Sequence, residues 1–225
     1  WPAWRGADGT GISHEKGLPT QWSSTESIRW KVRLAEPCNS TPIVWGDRIF
    51  LTQGLEKGKR RALIALNRKT GATEWQQEVT CDVEETSHAQ NPPCSASPVT
   101  DGKVVYANFA SGGILACTLD GKRLWHRELG PVLSRWGNGG SPVLYGNLVI
   151  VFHGPGTPSI LYGLDRESGK TVWTSEETPI NSPVFGSWST PVVVRAGDRD
   201  ELVMPLPGDK IGGVGFFKGY ELATG

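Results

Sequence analysis

The stretch "ALNRKTGATEW", Ala65–Trp75, places a tight polar turn directly in front of a lone Trp. It recurs. "ACTLDGKRLW" (Ala116–Trp125) and "GLDRESGKTVW" (Gly163–Trp173) repeat the apolar start, the turn and the Trp, and "GYELATG" (Gly219–Gly225) stops four residues short of where its Trp would fall. In each complete copy Gly and Trp stand four apart, at 71/75, 121/125 and 169/173, and the Trp positions are separated by 50 and then 48 residues.

A second element keeps the same beat. "STPIVWGDRIFLT" (Ser40–Thr52), "ASPVTDGKVVYANF" (Ala96–Phe109) and "GSPVLYGNLVIVF" (Gly140–Phe152) share a small residue, a Pro, a short apolar run, a turn and a second apolar run. "STPVVVRAGDRDELVMPL" (Ser189–Leu206) is a fourth copy with a longer turn, and the Pro positions 42, 98, 142 and 191 lie 56, 44 and 49 apart. Matches in register at a period near 50 indicate a propeller or a repeat array.

One unit reads as four short strands, in the first copy about 42–45, 47–52, 61–66 and 72–78. The turns "WGDR", "TDGK" and "YGNL" carry Gly, Asn and Asp, which tolerate positive φ in a hairpin. In the closing hairpin Gly71 or Gly169 does the same, while Asn67 or Asp165 bonds the turn backbone. Pro heads the first strand, where no ladder N–H is needed. No segment sustains a 3.6-residue apolar period. The fold class is therefore all-β, a β-propeller of four-stranded antiparallel blades with about four blades visible. Each repeated Trp falls on the fourth, outer strand. Burying one removes roughly 200 Å² from water, on the order of 5 kcal/mol at most, and defines how one blade packs on the next.

Bulk properties agree. Among 225 residues, 29 Gly and 16 Pro make about a fifth of the chain, beside 10 Trp and a single Met, as expected for many short strands and turns. Lys+Arg and Asp+Glu are both 23, so no net charge favours nucleic acid or an anionic membrane. The one basic cluster, Lys57–Arg61, lies between two apolar runs and reads as a solvated hairpin tip. No apolar run approaches the roughly 18 residues of a membrane helix. Residue 1 is Trp, which implies a processed or trimmed N-terminus and leaves any signal peptide out of view.

The repeats resemble those of the pyrroloquinoline quinone (PQQ)-like β-propeller family: an apolar strand, Asp, two residues, Thr-Gly-Lys, two residues and Trp. Asn67, Thr70, Gly71 and Trp75 match that pattern, as do Asp165, Ser168, Gly169, Lys170 and Trp173; Asp120, Gly121, Lys122 and Trp125 match a version shorter by one residue. The opening "WPAWRGADGTGIS", with "LPTQWS" and "IRWKVRL" after it, is similar to the N-terminus of bacterial, particularly planctomycete-type, members. The resemblance implies a seven- or eight-bladed ring of which this is a partial chain. Residues 1–38 form an N-terminal segment and residues 39–225 the blades, at about 39–80, 95–130, 140–178 and 187–225, the last incomplete. "SIRWKV" (Ser27–Val32) supplies an outer strand, either completing the last blade of a full ring or closing a four-bladed one. A half ring leaves two open blade faces, so self-association is expected.

Two functions follow from the resemblance: a noncatalytic extracytoplasmic module (periplasmic or secreted) that binds a protein or carbohydrate partner or serves as a scaffold, and part of a PQQ-dependent dehydrogenase that uses calcium. Such dehydrogenases carry a vicinal Cys-Cys disulfide beside the quinone. Here the Cys are at 38, 81, 94 and 117, with no adjacent pair, so the noncatalytic reading leads and no catalytic residue is assigned. Cys117 occupies the apolar strand slot of Leu66 and Leu164 and is expected in the core. Cys81 and Cys94 flank a Pro-containing loop and could pair in an exported protein.

In a propeller the first strand of each blade lines the axis, so the loops that enter those strands converge on one face. They are "SHAQNPPCSAS" (Ser87–Ser97), "SRWGNGG" (Ser134–Gly140) and "FGSWS" (Phe185–Ser189), with "EPCNS" (Glu36–Ser40) more modest. They bring His88, Gln90, Asn91, Arg135, Trp136, Asn138 and Trp188 to a concave mouth, the candidate ligand site. The competing reading has Trp136 and Trp188 plugging the channel while the polar groups satisfy loop backbone. His14, His88, His126 and His153 lack metal-ligand spacing, so no metal site is assigned. "GNGG" and "GGVG" are turns between strand runs rather than phosphate loops, and no G-x-S-x-G elbow appears.

Overall fold

A computed structural model describes residues 1–177, 186–208 and 213–225. Thr178, Phe185 and Gly212, which figure in the expected blade, loop and turn boundaries, lie outside the described residues. The alternating Pro-headed and Gly-turned runs fold as antiparallel meanders. The first sheet runs β1 (Ile43–Trp45), β2 (Arg48–Leu55), β3 (Arg60–Asn67) and β4 (Thr73–Thr80), each strand pairing with the next. The second comprises β5 (Val99–Thr100), β6 (Val104–Asn108), β7 (Ile114–Thr118) and β8 (Arg123–Arg127). The third comprises β9 (Val143–Tyr145), β10 (Leu148–His153), β11 (Ile160–Asp165) and β12 (Thr171–Glu176). The fourth has β13 (Val192–Ala196), β14 (Arg199–Leu206) and β15 (Phe216–Glu221). The protein is all-β, built of propeller-type blades.

The sheets stack face to face in chain order. Because side chains alternate across a strand, β3 sends Leu63 and Ala65 into a core with Val105, Ala107, Leu115 and Cys117 of the second sheet. Its Ala62, Ile64 and Leu66 face the other way, toward Leu34 and Cys38 of the N-terminal segment. Tyr106, Ile114 and Ala116 meet Val149, Val151 and Leu164 between sheets two and three. Ile150, Phe152 and Trp173 meet Leu202, Met204 and Tyr220 between sheets three and four. Both faces of these strands are buried, which is why "ALIAL" reads as a continuous apolar run.

The opening motif has one geometry throughout. The indole Nε1–H of Trp75 donates to Leu119 O at 2.8 Å, that of Trp125 to Arg166 O at 3.0 Å, and that of Trp173 to Leu222 O at 3.1 Å. In each case the ring lies against the Gly of the following repeat. A Cβ on Gly121, Gly169 or Gly225 would come within 2.6–2.7 Å of it, and those glycines have φ of +86°, +68° and +89°. Both facts demand glycine. The residue opposite the Trp across the strand pair is small: Ala65, Ala116 or Gly163. A register shift follows immediately at Leu66, Cys117 and Leu164. A fourth pair precedes these three. Trp30 donates to Arg68 O at 3.0 Å and lies against Gly71, although Ser27–Val32 pairs as a strand with nothing among the described residues.

The inner strands are tied by a relay the repeat only hinted at. The small residue before each Pro is a hydroxyl residue, and its oxygen accepts the N–H of its counterpart one sheet earlier. Thr41 N donates to Ser97 Oγ at 2.9 Å, Ser97 N to Ser141 Oγ at 3.0 Å, and Ser141 N to Thr190 Oγ1 at 3.0 Å. The N-terminal segment runs beside these strands, with Val44 N donating to Trp1 O and Thr100 N to Pro2 O.

Two further expectations are corrected. The basic cluster is a hairpin tip, but Arg61 is only 2% exposed: the side chain folds inward, donates to Gly58 O and Phe109 O, and pairs with Glu85 at 2.7 Å. Phe109 O from the next sheet and Glu85 from the loop after β4 supply the acceptors that a lone hairpin lacks. All four cysteines are free thiols, so Cys81 and Cys94 do not pair. Burial raises the pKa of both, and that of Cys117, fully buried as expected, to about 11.

Candidate ligand-binding face

Three loops build this face. The first follows β4. Asn91 N donates to His88 O at 2.8 Å and Gln90 N to His88 Nδ1 at 3.2 Å, closing a tight turn that ends at Pro92-Pro93. Four anchors hold the loop. Asn39 Nδ2 donates to Gln90 O at 2.6 Å, Thr52 Oγ1 lies 2.9 Å from Cys94 O and 2.7 Å from Ala96 O, and Ser95 Oγ donates to Pro92 O. The fourth is Glu85, whose Oε2 takes Arg61 and whose Oε1 takes Ser111 N at 2.7 Å. That carboxylate is fully engaged in fastening the loop between two sheets.

The second loop follows β8. Ser134 Oγ accepts Trp136 N at 3.2 Å and lies 3.3 Å from Gly137 O. Gly137, at φ +77°, is the junction of all three loops: a Cβ there would meet Asn91 at 2.9 Å. Asn91 Nδ2 donates to the neighbouring Trp136 O at 2.6 Å, and the Trp188 indole from the third loop donates to Gly137 O at 3.0 Å. His88 packs on Trp136 with ring centroids 5.3 Å apart.

Of the seven residues singled out from sequence, five line one open depression of about 470 Å³ together with Gly139: His88, Gln90, Asn91, Trp136 and Trp188. Asn138 turns inward instead, donating to Gly154 O and lining a small interior gap with Arg61 and Glu85. Arg135 is exposed beside the depression and makes no hydrogen bond or ion pair among the described residues. Asn91 and Asn138 do satisfy loop backbone, as the competing reading held, while Gln90 does not, and Trp136 and Trp188 remain 44% and 37% exposed. A neighbouring open pocket of about 450 Å³ is lined by Trp188 and the relay residues Thr41, Ser97, Ser141 and Thr190 together with Trp4 and Arg5. Gly137, Glu85 and Arg61 escaped the sequence reading. The only signals were a Gly between the two loop tryptophans and an acid upstream of a Pro-rich turn.

The donor set decides what this face can hold. Its lining contains no carboxylate and no lysine, and no group of three or more His, Cys, Asp or Glu among the described residues could hold a metal ion. PQQ is a polyanion held with calcium, and such a pair needs cationic partners and carboxylate ligands together. The described residues of this face do not fit it. No helix among them is long and apolar enough to cross a membrane.

Fold and face together define a propeller-type repeat protein with three of its loops gathered on one face. Residues 8–157 match the family model described as outer membrane protein assembly factor BamB, and the chain belongs to this PQQ-like β-propeller family. No curated protein matches it. Among solved structures it is similar to BamB from Moraxella catarrhalis, at 20% identity and TM-score 0.54, over 81% of this chain and 52% of that one. It is also similar to the quinohemoprotein alcohol dehydrogenase ADHIIG from Pseudomonas putida HK5, at 15% identity and TM-score 0.55, over 79% of this chain and 29% of that one. The chain thus spans about half the length of the first structure and under a third of the second. At these identities the likeness concerns the fold alone.

Proposed function

We propose that the chain is a noncatalytic binding module of an extracytoplasmic protein, whose partner engages the face formed by His88, Gln90, Asn91, Trp136 and Trp188. One observation carries this: two indoles stand exposed over a single depression whose other described lining groups are an imidazole, two side-chain amides and a glycine. Anchored, solvent-facing aromatics beside neutral hydrogen-bonding groups are the composition of a recognition surface. The family description as an assembly factor supports a binding role and an extracytoplasmic setting. In the same reading, the Trp30, Trp75, Trp125 and Trp173 contacts are the docking that holds successive blades in register.

The test is to add PQQ and calcium to the full-length protein and measure both cofactor binding and reduction of an electron-accepting dye. The module reading expects neither signal. Saturable PQQ binding with dye reduction would overturn it in favour of a dehydrogenase.

A further inference from the structure

We infer that the ligand of this face is a neutral saccharide, stacked on Trp136 and Trp188 and hydrogen-bonded by Gln90 and Asn91. The inference rests on the binding-module reading and deepens it.

The first ground is charge. Apart from the His88 imidazole, every group lining the depression is uncharged, and the one acid of the loop, Glu85, is committed to Arg61 and Ser111 N beneath it. A charged ligand would find no opposite charge in the lining to hold it. Two arginines without an ion pair among the described residues stand outside that lining: Arg135, next to Trp136 in the chain, and Arg5, which lines the neighbouring pocket.

The second ground is the pairing of exposed indole with free amide. Trp136 and Trp188 are both exposed at the depression; the Trp188 indole is held by its bond to Gly137 O, and the Trp136 ring rests against His88. The negative face of an indole attracts the weakly positive C–H groups on one side of a pyranose. The Gln90 side-chain amide makes no hydrogen bond among the described residues, and Asn91 commits its Nδ2 while its Oδ1 accepts none. One free donor–acceptor amide and one free carbonyl therefore sit beside the rings. Hydroxyl groups donate and accept alike, so a polyol satisfies both. The third ground is size: about 470 Å³ lies within the range of small-molecule sites. With no carboxylate among the described residues lining the face, the saccharide would be bound and not cleaved.

The experiment is calorimetric titration of the full chain with uncharged hexasaccharides of different linkage: cellohexaose, maltohexaose, chitohexaose and mannohexaose. At least one is expected to bind. Trp136→Ala should weaken it tenfold or more and Gln90→Ala about fivefold, while Trp22→Ala, at an exposed indole elsewhere, should change nothing. Circular dichroism of each variant separates lost binding from lost fold. No binding by any of the four, or binding unchanged by Trp136→Ala, overturns the saccharide inference. A proline-rich peptide that binds and is lost with Trp136→Ala would also overturn it, yet leave the module reading standing. PQQ-dependent dye reduction is the separate result that removes the module reading.

Discussion

Replacing Gly121 by Ala tests the inter-sheet contact quantitatively. At φ +86° an L-residue pays about 1–2 kcal/mol for the left-handed conformation alone. The new methyl would also lie 2.7 Å from Cδ2 and Cγ of Trp75, a separation that cannot stand. Moving a ring held by its Nε1 bond to Leu119 O is an overpacking change, typically another 1–3 kcal/mol. The expected total is about 2–5 kcal/mol, read from urea unfolding followed by far-ultraviolet circular dichroism. Gly46→Ala is the control: φ is +58° and nothing lies within 4 Å of the added Cβ, so strain alone remains. In a Trp75→Ala background the excess of Gly121→Ala over Gly46→Ala should vanish. An excess that persists there, or no excess in the parent protein, would refute the contact as the reason for glycine.

Glu85→Ala leaves the Arg61 guanidinium buried without its partner and should cost about 3–5 kcal/mol, with faster proteolysis between Ser87 and Ser97. Ser141→Ala removes the acceptor of the Ser97 N–H, so stability should fall by about 1–3 kcal/mol and the Ser97 amide should exchange hydrogen faster. His153 is fully buried, and that burial outweighs the pull of Glu85 and of the Gly130 and Pro131 backbone and pushes its pKa down from 6.5 to about 4. Between those values the unfolded chain binds a proton that the folded chain refuses. Its contribution is therefore unimpaired above about pH 6.5 and worsens as pH falls to 4, by about 3 kcal/mol. His153→Phe should flatten that part of the profile, since Phe109 follows β6 at the corresponding position of the second sheet.

How much of this could be read beforehand depended on whether the cause was local. The Gly-turn-Trp spacing is set by one hairpin, so strands near 42–45 and 61–66 were legible and emerged as Ile43–Trp45 and Arg60–Asn67. The convergence of His88, Trp136 and Trp188 followed from the position of their loops ahead of inner strands. What depends on a neighbouring sheet was not legible. Arg61 reads as one more surface cation until Phe109 O and Glu85 are seen above it. The hydroxyl at 97, 141 and 190 reads only as "small", because its acceptor role exists only once the sheets stand side by side. Asn138 has the same composition as Asn91 and a nearby position, yet the chain aims it at Gly154 O.

The central claim is that the tryptophans divide into a set that holds the sheets together and a pair presented to a ligand. Hydroxyl-radical footprinting with residue-level mass spectrometry reads every Trp at once. Trp136 and Trp188 should oxidise readily, approaching the rate of the freely exposed Trp22, while Trp173 is protected and Trp75 and Trp125 react more slowly than the pair. Equal oxidation of Trp173 and Trp22, or protection of Trp136 and Trp188 in the ligand-free protein, would contradict the account.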